Sequence, residues 1–250
     1  MTTTISASAI RAGAGPGARG RIAANKQLHD ADIRSALVGA LVADGCERLA
    51  TVDTNSPGAR DTLSEPPTFL IEEFPLRGGF VRADVVAFHP GALHIYEIKS
   101  DCDRLDRLPE QLRLYGEVAD YVTLVVGWPH AAEILRGTPN WCEVWLAERA
   151  RRGYVSFVRL RARRRNPHVV PSAIAAMLSR DEALAFLIRI GAGVGVRSKP
   201  RAVLHALIDE AVTRAGLQAP SAVEQLRTHV HEYWFRRERQ AEPAPYACDV

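Results

Sequence analysis

The sequence predicts an α/β fold, with a central mixed β-sheet flanked by helices and a C-terminal helical appendage. Three observations predict it. Three strand-like runs follow one another across hairpin-type turns between residues 68 and 99. Amphipathic helical segments and compact apolar runs then alternate up to residue 160. After residue 166 the pattern is helical throughout, punctuated by capping signals.

Taken in order, residues 1–29 read as a flexible tail, because residues 1–26 are rich in Ala, Gly, Thr and Ser and lack an acid. Residues 30–43 read as a helix, with Ile33, Leu37, Ala40 and Leu41 on one face. Asp30 is a candidate N-cap and Gly45 a stop. Residues 53–67 are polar and rich in Pro, Gly, Asn and Ser, the composition of a loop. Runs 68–74, 81–88 and 92–99 are strands, separated by Arg77-Gly78-Gly79 and His89-Pro90-Gly91. Short turns make such strands antiparallel neighbours.

A helix over 104–119 follows, with Leu108, Leu112, Tyr115 and Val118 on one face. The apolar run 121–126 is a buried strand. Residues 130–136 form a short helix, and 142–147 and 154–160 two more strands. These elements delimit a core over 30–165. An appendage of three helices occupies 166–239. Ser179-x-x-Glu182 and Ser221-x-x-Glu224 are capping boxes, and Pro200 suits a helical first turn. Residues 240–250 read as a second tail.

Composition narrows the function classes. The 250 residues are 47% hydrophobic, enough for a sizeable core. A net charge of +3 is too mild to identify a nucleic-acid partner on its own. The four cysteines, Cys46, Cys102, Cys142 and Cys248, are dispersed, which argues against a zinc knuckle and suits a reducing cytoplasm. No apolar run is long enough to span a bilayer.

The chemistry concentrates on two strands. Alternation puts Leu93, Ile95, Glu97 and Lys99 on one face, so an apolar face ends in a carboxylate beside an ammonium. Asp84 interrupts the otherwise apolar run 81–88. Antiparallel pairing brings the start of that strand beside the end of the next, so Asp84, Glu97 and Lys99 converge. Two carboxylates are hard ligands for Mg²⁺ or Mn²⁺. A lysine beside them can orient a water and balance developing charge on phosphorus. A bare Glu-x-Lys pair is more often a same-face ion pair; Asp84, together with the longer family resemblance of the run that follows, tips the reading toward phosphodiester hydrolysis.

Asp84 followed by Glu97-Ile98-Lys99 and a helix resembles the PD-(D/E)xK, or restriction-endonuclease-like, nuclease superfamily. Ala83 stands where that motif often has proline. The longer run Arg82-Ala83-Asp84, Tyr96 to Asp101, Asp103-x-Leu105-x-Arg107-Leu108-Pro109-x-Gln111 and Tyr115 resembles a family of uncharacterised bacterial proteins designated by a locus label. The resemblance implies a restriction-endonuclease-like core, with Asp84, Glu97 and the Ile98 carbonyl as metal ligands and Lys99 as the catalytic lysine. It further implies Gln111 near the site and an upstream acid, Glu73 in preference to Glu72. Its habits suggest a homodimer, with DNA as the partner. Arg82, Arg104 and Arg107 are then candidate nucleic-acid contacts.

The alternative is a non-catalytic nucleic-acid-binding or protein-interaction module of a mobile element or defence system. Other features have plainer readings. Asp101, Asp103 and Asp106 stand where acids favour a helix start. The arginines at 159–165 suit a solvated edge strand as well as a phosphate backbone. His229 and His231 diverge on a helix and read as surface residues. Packing accounts for the four tryptophans, and for Tyr115 at least as well as function does.

Overall fold

The structure, a computed structural model, describes residues 10–12, 27–48, 67–150, 153–215 and 221–240. The tails expected at 1–29 and 240–250, most of the 53–67 loop, Cys248 and Gly216 lie largely or wholly outside these residues.

Among the described residues, eight strands form one mixed sheet. They are β1 (Ile10–Ala12), β2 (Glu47–Arg48), β3 (Phe69–Leu76), β4 (Val81–His89), β5 (Ala92–Lys99), β6 (Tyr121–Val126), β7 (Glu143–Arg149) and β8 (Val155–Arg161). Their order is β1-β8-β7-β6-β5-β4-β3-β2. The meander β3-β4-β5 is antiparallel, as its short turns require. β5, β6 and β7 run parallel, joined by the crossover helices α2 (Leu108–Val118) and α3 (Trp128–Gly137). β7 and β8 close the row antiparallel. The short strands β1 and β2 cap its two edges, each parallel to its neighbour. Ile10–Ala12, assigned to the tail from sequence, are therefore ladder-bonded to β8.

Alternation divides the sheet into two apolar faces. On one, α1 (Asp30–Ala43) buries Ile33, Leu37, Val38 and Leu41 against Leu70, Val85, Tyr96, Ile98 and Trp145. Its cap is His29 rather than Asp30, which forms the first helical residue. The opposite face carries Phe69, Phe88, Leu93, Ile95, Leu124 and Val126, and α2 and α3 pack there.

The C-terminal helices join that second face. Among the described residues they number four, not three: α4 (Pro171–Ala175), α5 (Arg180–Arg189), α6 (Arg201–Ala215) and α7 (Ser221–Gln240). Five residues of α4 are too few to show a helical period. Ser179 caps α5 by accepting from the Glu182 amide, as its spacing predicts. Ile174, Phe186, Leu204, Leu226 and Val230 share one continuous core with the sheet.

That contact buries two histidines expected at the surface. His229 is 6% exposed and lies 3.1 Å from a Glu182 carboxylate oxygen; His231 is 2% exposed and lies 3.0 Å from the Pro67 carbonyl oxygen. They do diverge, but α7 is covered on both sides, by α5 and by the start of β3.

A buried polar chain crosses the strands. The Thr123 hydroxyl donates to Glu143 at 2.9 Å, so the His94 Nε2 at 2.8 Å must be the donor to Thr123. Glu143 is in turn held by Arg159 at 3.0 Å. Burial holds His94 well below the usual histidine range, and pushes His89 down to about 4. Both stay neutral in the fold and become charged below about pH 6.5 once unfolded. The unfolded chain therefore binds more protons. Stability should fall as pH drops through that value, by about 1.4 kcal/mol per histidine per pH unit until the folded pKa is reached. Urea denaturation at pH 7.5 and pH 5.5 measures this.

Among the described residues no helix is long and apolar enough to cross a membrane. Cys46, Cys102 and Cys142 are free thiols.

Candidate active site at the β4–β5 opening

The ladder between β4 and β5 ends at Val85↔Tyr96. On the other side of β4, Glu72 pairs with Val85 and Phe74 with Ala83, which leaves Glu73 and Asp84 outside the ladder. Glu73 takes a left-handed backbone conformation, φ 54°, which costs on the order of 1 kcal/mol for a side chain with a Cβ. The irregularity re-aims both acids. Asp84 Oδ2 accepts from the Ile98 amide at 2.7 Å, so a side chain replaces the missing ladder bond. Two β-strands thus bring Asp84 to the Glu97-Ile98-Lys99 segment.

Glu97 is 2% exposed. The Lys99 ammonium and the Gln111 amide both donate to its Oε1 at 2.6 Å, and the Tyr115 hydroxyl donates to Oε2 at 2.7 Å. Gln111 and Tyr115 share a face of α2 because they are one turn apart. Burial, then the neighbouring Asp84 charge, push Glu97 up to about 7, against the lowering pull of Lys99 and Tyr115. Burial also raises Asp84 above the ordinary carboxylate range, although the Ile98 amide and Arg34 lower it. The Asp84 charge raises the proton affinity of Glu97, an effect that a neighbouring cation would relieve.

Arg34 on α1 is the residue that sequence reasoning missed. Its guanidinium donates to Asp84 Oδ1 and to the Asp84 carbonyl, both at 2.8 Å. It also meets Asp30 at 2.9 Å and Glu73 at 2.9 Å. The Asp30/Arg34 spacing suggests only a helix-surface pair; nothing in it points 50 residues ahead. Burial disfavours the Arg34 charge, yet its bonds to Asp30 and Asp84 more than offset this, so its proton affinity is raised. Replacing Arg34 with Met should cost about 1.5–3 kcal/mol in urea denaturation, because charge-assisted hydrogen bonds are lost. Arg34→Lys should recover only part, since an ammonium cannot bridge three carboxylates.

The other candidates separate clearly. Glu73, not Glu72, reaches Arg34, but it also pairs with Arg82 at 2.9 Å and lies beside Asp84 rather than on Glu97. Arg82 is exposed, and its carbonyl oxygen lies 3.1 Å from the Tyr115 hydroxyl oxygen. Arg104 pairs with Asp106 at 2.8 Å, both well exposed, and Arg107 is exposed at the start of α2. Asp103 caps a turn, accepting from the Ser100 amide at 2.7 Å, and Asp101 accepts from the Leu28 amide at 2.8 Å. Gly127 donates to the Lys99 carbonyl at 2.8 Å and lies so close to Asp101 that any Cβ there would collide with it. Trp145 and Trp234 are core residues, whereas Trp128 is 62% exposed.

A divalent cation would find two carboxylates, Asp84 and Glu97, and one carbonyl. A strand residue sends its N–H and C=O to the same side, so the Ile98 carbonyl shares the side on which its amide meets Asp84. Gln111 Oε1 is buried with no hydrogen-bond partner among the described residues, a further hard oxygen beside Glu97. No group of three or more His, Cys, Asp or Glu side chains suited to a metal occurs among the described residues, so this donor set is two carboxylates plus neutral oxygens. It is the set that Mg²⁺ and Mn²⁺ accept when water and phosphate oxygens complete the sphere.

The family model described as bacteriophage P4 protein cII matches residues 59–239. No curated protein matches the chain. Among solved structures, a protein of unknown function from Silicibacter pomeroyi is similar over 52% of this chain and 86% of its own, at 22% identity and a TM-score of 0.31.

Proposed function

We propose that this chain, which belongs to the bacteriophage P4 protein cII family, is a metal-dependent nuclease that hydrolyses phosphodiester bonds of DNA by a metal-activated water. The observation that carries the reading is the convergence of Asp84 and Glu97 at Ile98, with Lys99 in contact with Glu97. The resemblance to PD-(D/E)xK nucleases supports it.

The chain's own groups have distinct tasks in this reading. Gln111 and Tyr115 fix the rotamer of Glu97, and Arg34 fixes that of Asp84. Preorganised ligands avoid reorganisation when substrate arrives. Lys99, bonded to Glu97, is positioned to orient a water and to offset negative charge growing on the phosphate oxygens. Asp84 and Glu97 would hold Mg²⁺ or Mn²⁺ together with the Ile98 carbonyl. When bound, the ion polarises the phosphate, acidifies a water and steadies the leaving oxygen.

The test is cleavage of a panel of DNA structures by the full chain with Mg²⁺ or Mn²⁺, compared with EDTA. Cleavage that EDTA abolishes and Asp84→Asn lowers by roughly 10²-fold or more is expected. Equal cleavage by wild type and Asp84→Asn would assign the activity to another site or a contaminant.

A further inference from the structure

The connection from α5 to α6 carries a surface that the candidate nuclease site does not use. Residues 183–208 contain Arg189, Arg197, Lys199 and Arg201 and no acid. A protein surface normally mixes the two signs. Arg189 is neutralised by Glu232 at 3.0 Å. Arg197, Lys199 and Arg201 are exposed and have no acidic partner among the described residues. Asp181, an exposed acid at the start of α5, is already engaged by Arg180 at 3.0 Å. The Arg180 guanidinium also binds the Arg197 carbonyl, and donates to the Lys199 carbonyl at 3.2 Å. A further cation thus covers two of the loop's negative dipole ends.

The loop's shape is specified. Gly191 and Gly195 take left-handed conformations, φ 77° and 72°. At Gly193 a Cβ would come within 2.5 Å of Ile188 Cγ1, so only glycine lets the loop lie against α5. Val196 anchors it at 8% exposure, whereas Val194 projects at 92%. An open hollow of about 560 Å³ is bordered by Ile188, Val194, Arg197, Ser198 and the glycines.

We propose that this loop, with Arg197, Lys199 and Arg201, is a docking surface for the phosphodiester backbone of nucleic acid. Arg197 borders the hollow, and exposed Lys199 and Arg201 follow within four residues; three cations without an acidic partner among the described residues suit a string of phosphates. Ser198 adds a hydroxyl donor, and Val194 offers apolar contact to a sugar. An anionic membrane is the weaker fit. Val194 is the sole large apolar residue projecting from the loop itself, and a concave surface with so little apolar area gains little from lipid. The inference takes its partner class from the nuclease reading but does not need the site at Asp84 and Glu97 to be catalytic.

The experiment is fluorescence anisotropy of a labelled 30-base-pair duplex with the full chain in EDTA, as a function of salt. The comparison is wild type, the triple variant Arg197→Ala/Lys199→Ala/Arg201→Ala, and a control of equal net charge, Arg136→Ala/Arg214→Ala/Arg239→Ala. All three triple-variant positions are exposed, so its thermal melt should match wild type. Losing three phosphate contacts should weaken binding by roughly 10- to 100-fold near 0.1 M salt and lower the log–log salt slope by about 3. Equal loss in the charge control, or an unchanged slope in the triple variant, would overturn the proposal. So would wild-type binding to phosphatidylserine vesicles without binding to the duplex. Because binding is read without divalent metal, a failure of cleavage leaves this result legible. Conversely, DNA cleavage with unaltered binding by the triple variant would sink only the docking surface.

Discussion

On the proposed nuclease reading, Lys99→Met should lower metal-dependent cleavage by roughly 10²–10³-fold, the usual consequence of deleting one preorganised electrostatic group at a reacting centre. Methionine keeps an apolar stem out to Cε but removes the ammonium. Lys99 is 8% exposed and its Nζ lies 2.6 Å from Glu97 Oε1, so no solvent cation of equal placement replaces it. Glu97 would keep Gln111 and Tyr115 as donors, and hence its orientation. The loss should therefore appear in the cleavage rate under saturating DNA and leave DNA affinity in EDTA unchanged. Single-turnover cleavage with Mn²⁺, alongside a thermal melt, measures it. A variant that folds and cleaves at the wild-type rate would remove Lys99 from the mechanism.

Asp120→Ala should destabilise the fold by about 3–5 kcal/mol, the cost of stripping one partner from a buried ion pair. Asp120 and Arg227 are each about 3% exposed in their side chains and lie 2.7 Å apart. Asp120 also accepts from the Leu93 amide at 2.9 Å and meets the more exposed Arg165 at 3.3 Å. Arg227 donates to the Val118 carbonyl at 2.9 Å. One carboxylate thus ties the start of β5, the end of α2 and the middle of α7 together. Burial pushes Arg227 down to about 10, against the raising effect of Asp120. Without Asp120 that guanidinium would be left in the core with one carbonyl. Asp120→Ala/Arg227→Leu should recover much of the loss, because an apolar pair of similar volume removes the orphaned charge. Equilibrium urea denaturation of the wild type, both single variants and the double variant completes the cycle. No destabilisation in Asp120→Ala would mean that α7 is not held through this pair.

The strand order within the meander and the approach of Asp84 to the Glu97-Ile98-Lys99 segment were legible from local pattern. Glycine-bearing turns at 77–79 and 89–91 forced antiparallel neighbours. Period-two alternation put Glu97 and Lys99 on the face that α2 covers. Asp84 stood out because a lone acid in an apolar strand is costly unless it is paired. Those signals all lie between residues 77 and 99, the short range over which period and turn chemistry act.

What the linear pattern could not hold were the contacts made across layers. Arg34 reaches Asp84, Glu73 and Asp30 because α1 packs on the sheet face behind β4, and no periodicity encodes which helix lands there. Tyr115 fills a core position and also bonds Glu97, two roles that share one helical spacing. The histidines of α7 are buried by α5 and β3, neighbours that only the folded chain supplies. The short strand Ile10–Ala12 exists through its pairing with β8, since three residues carry no local preference strong enough to form alone. Local sequence thus set the elements and the chemistry of their ends; burial between layers decided which charges meet.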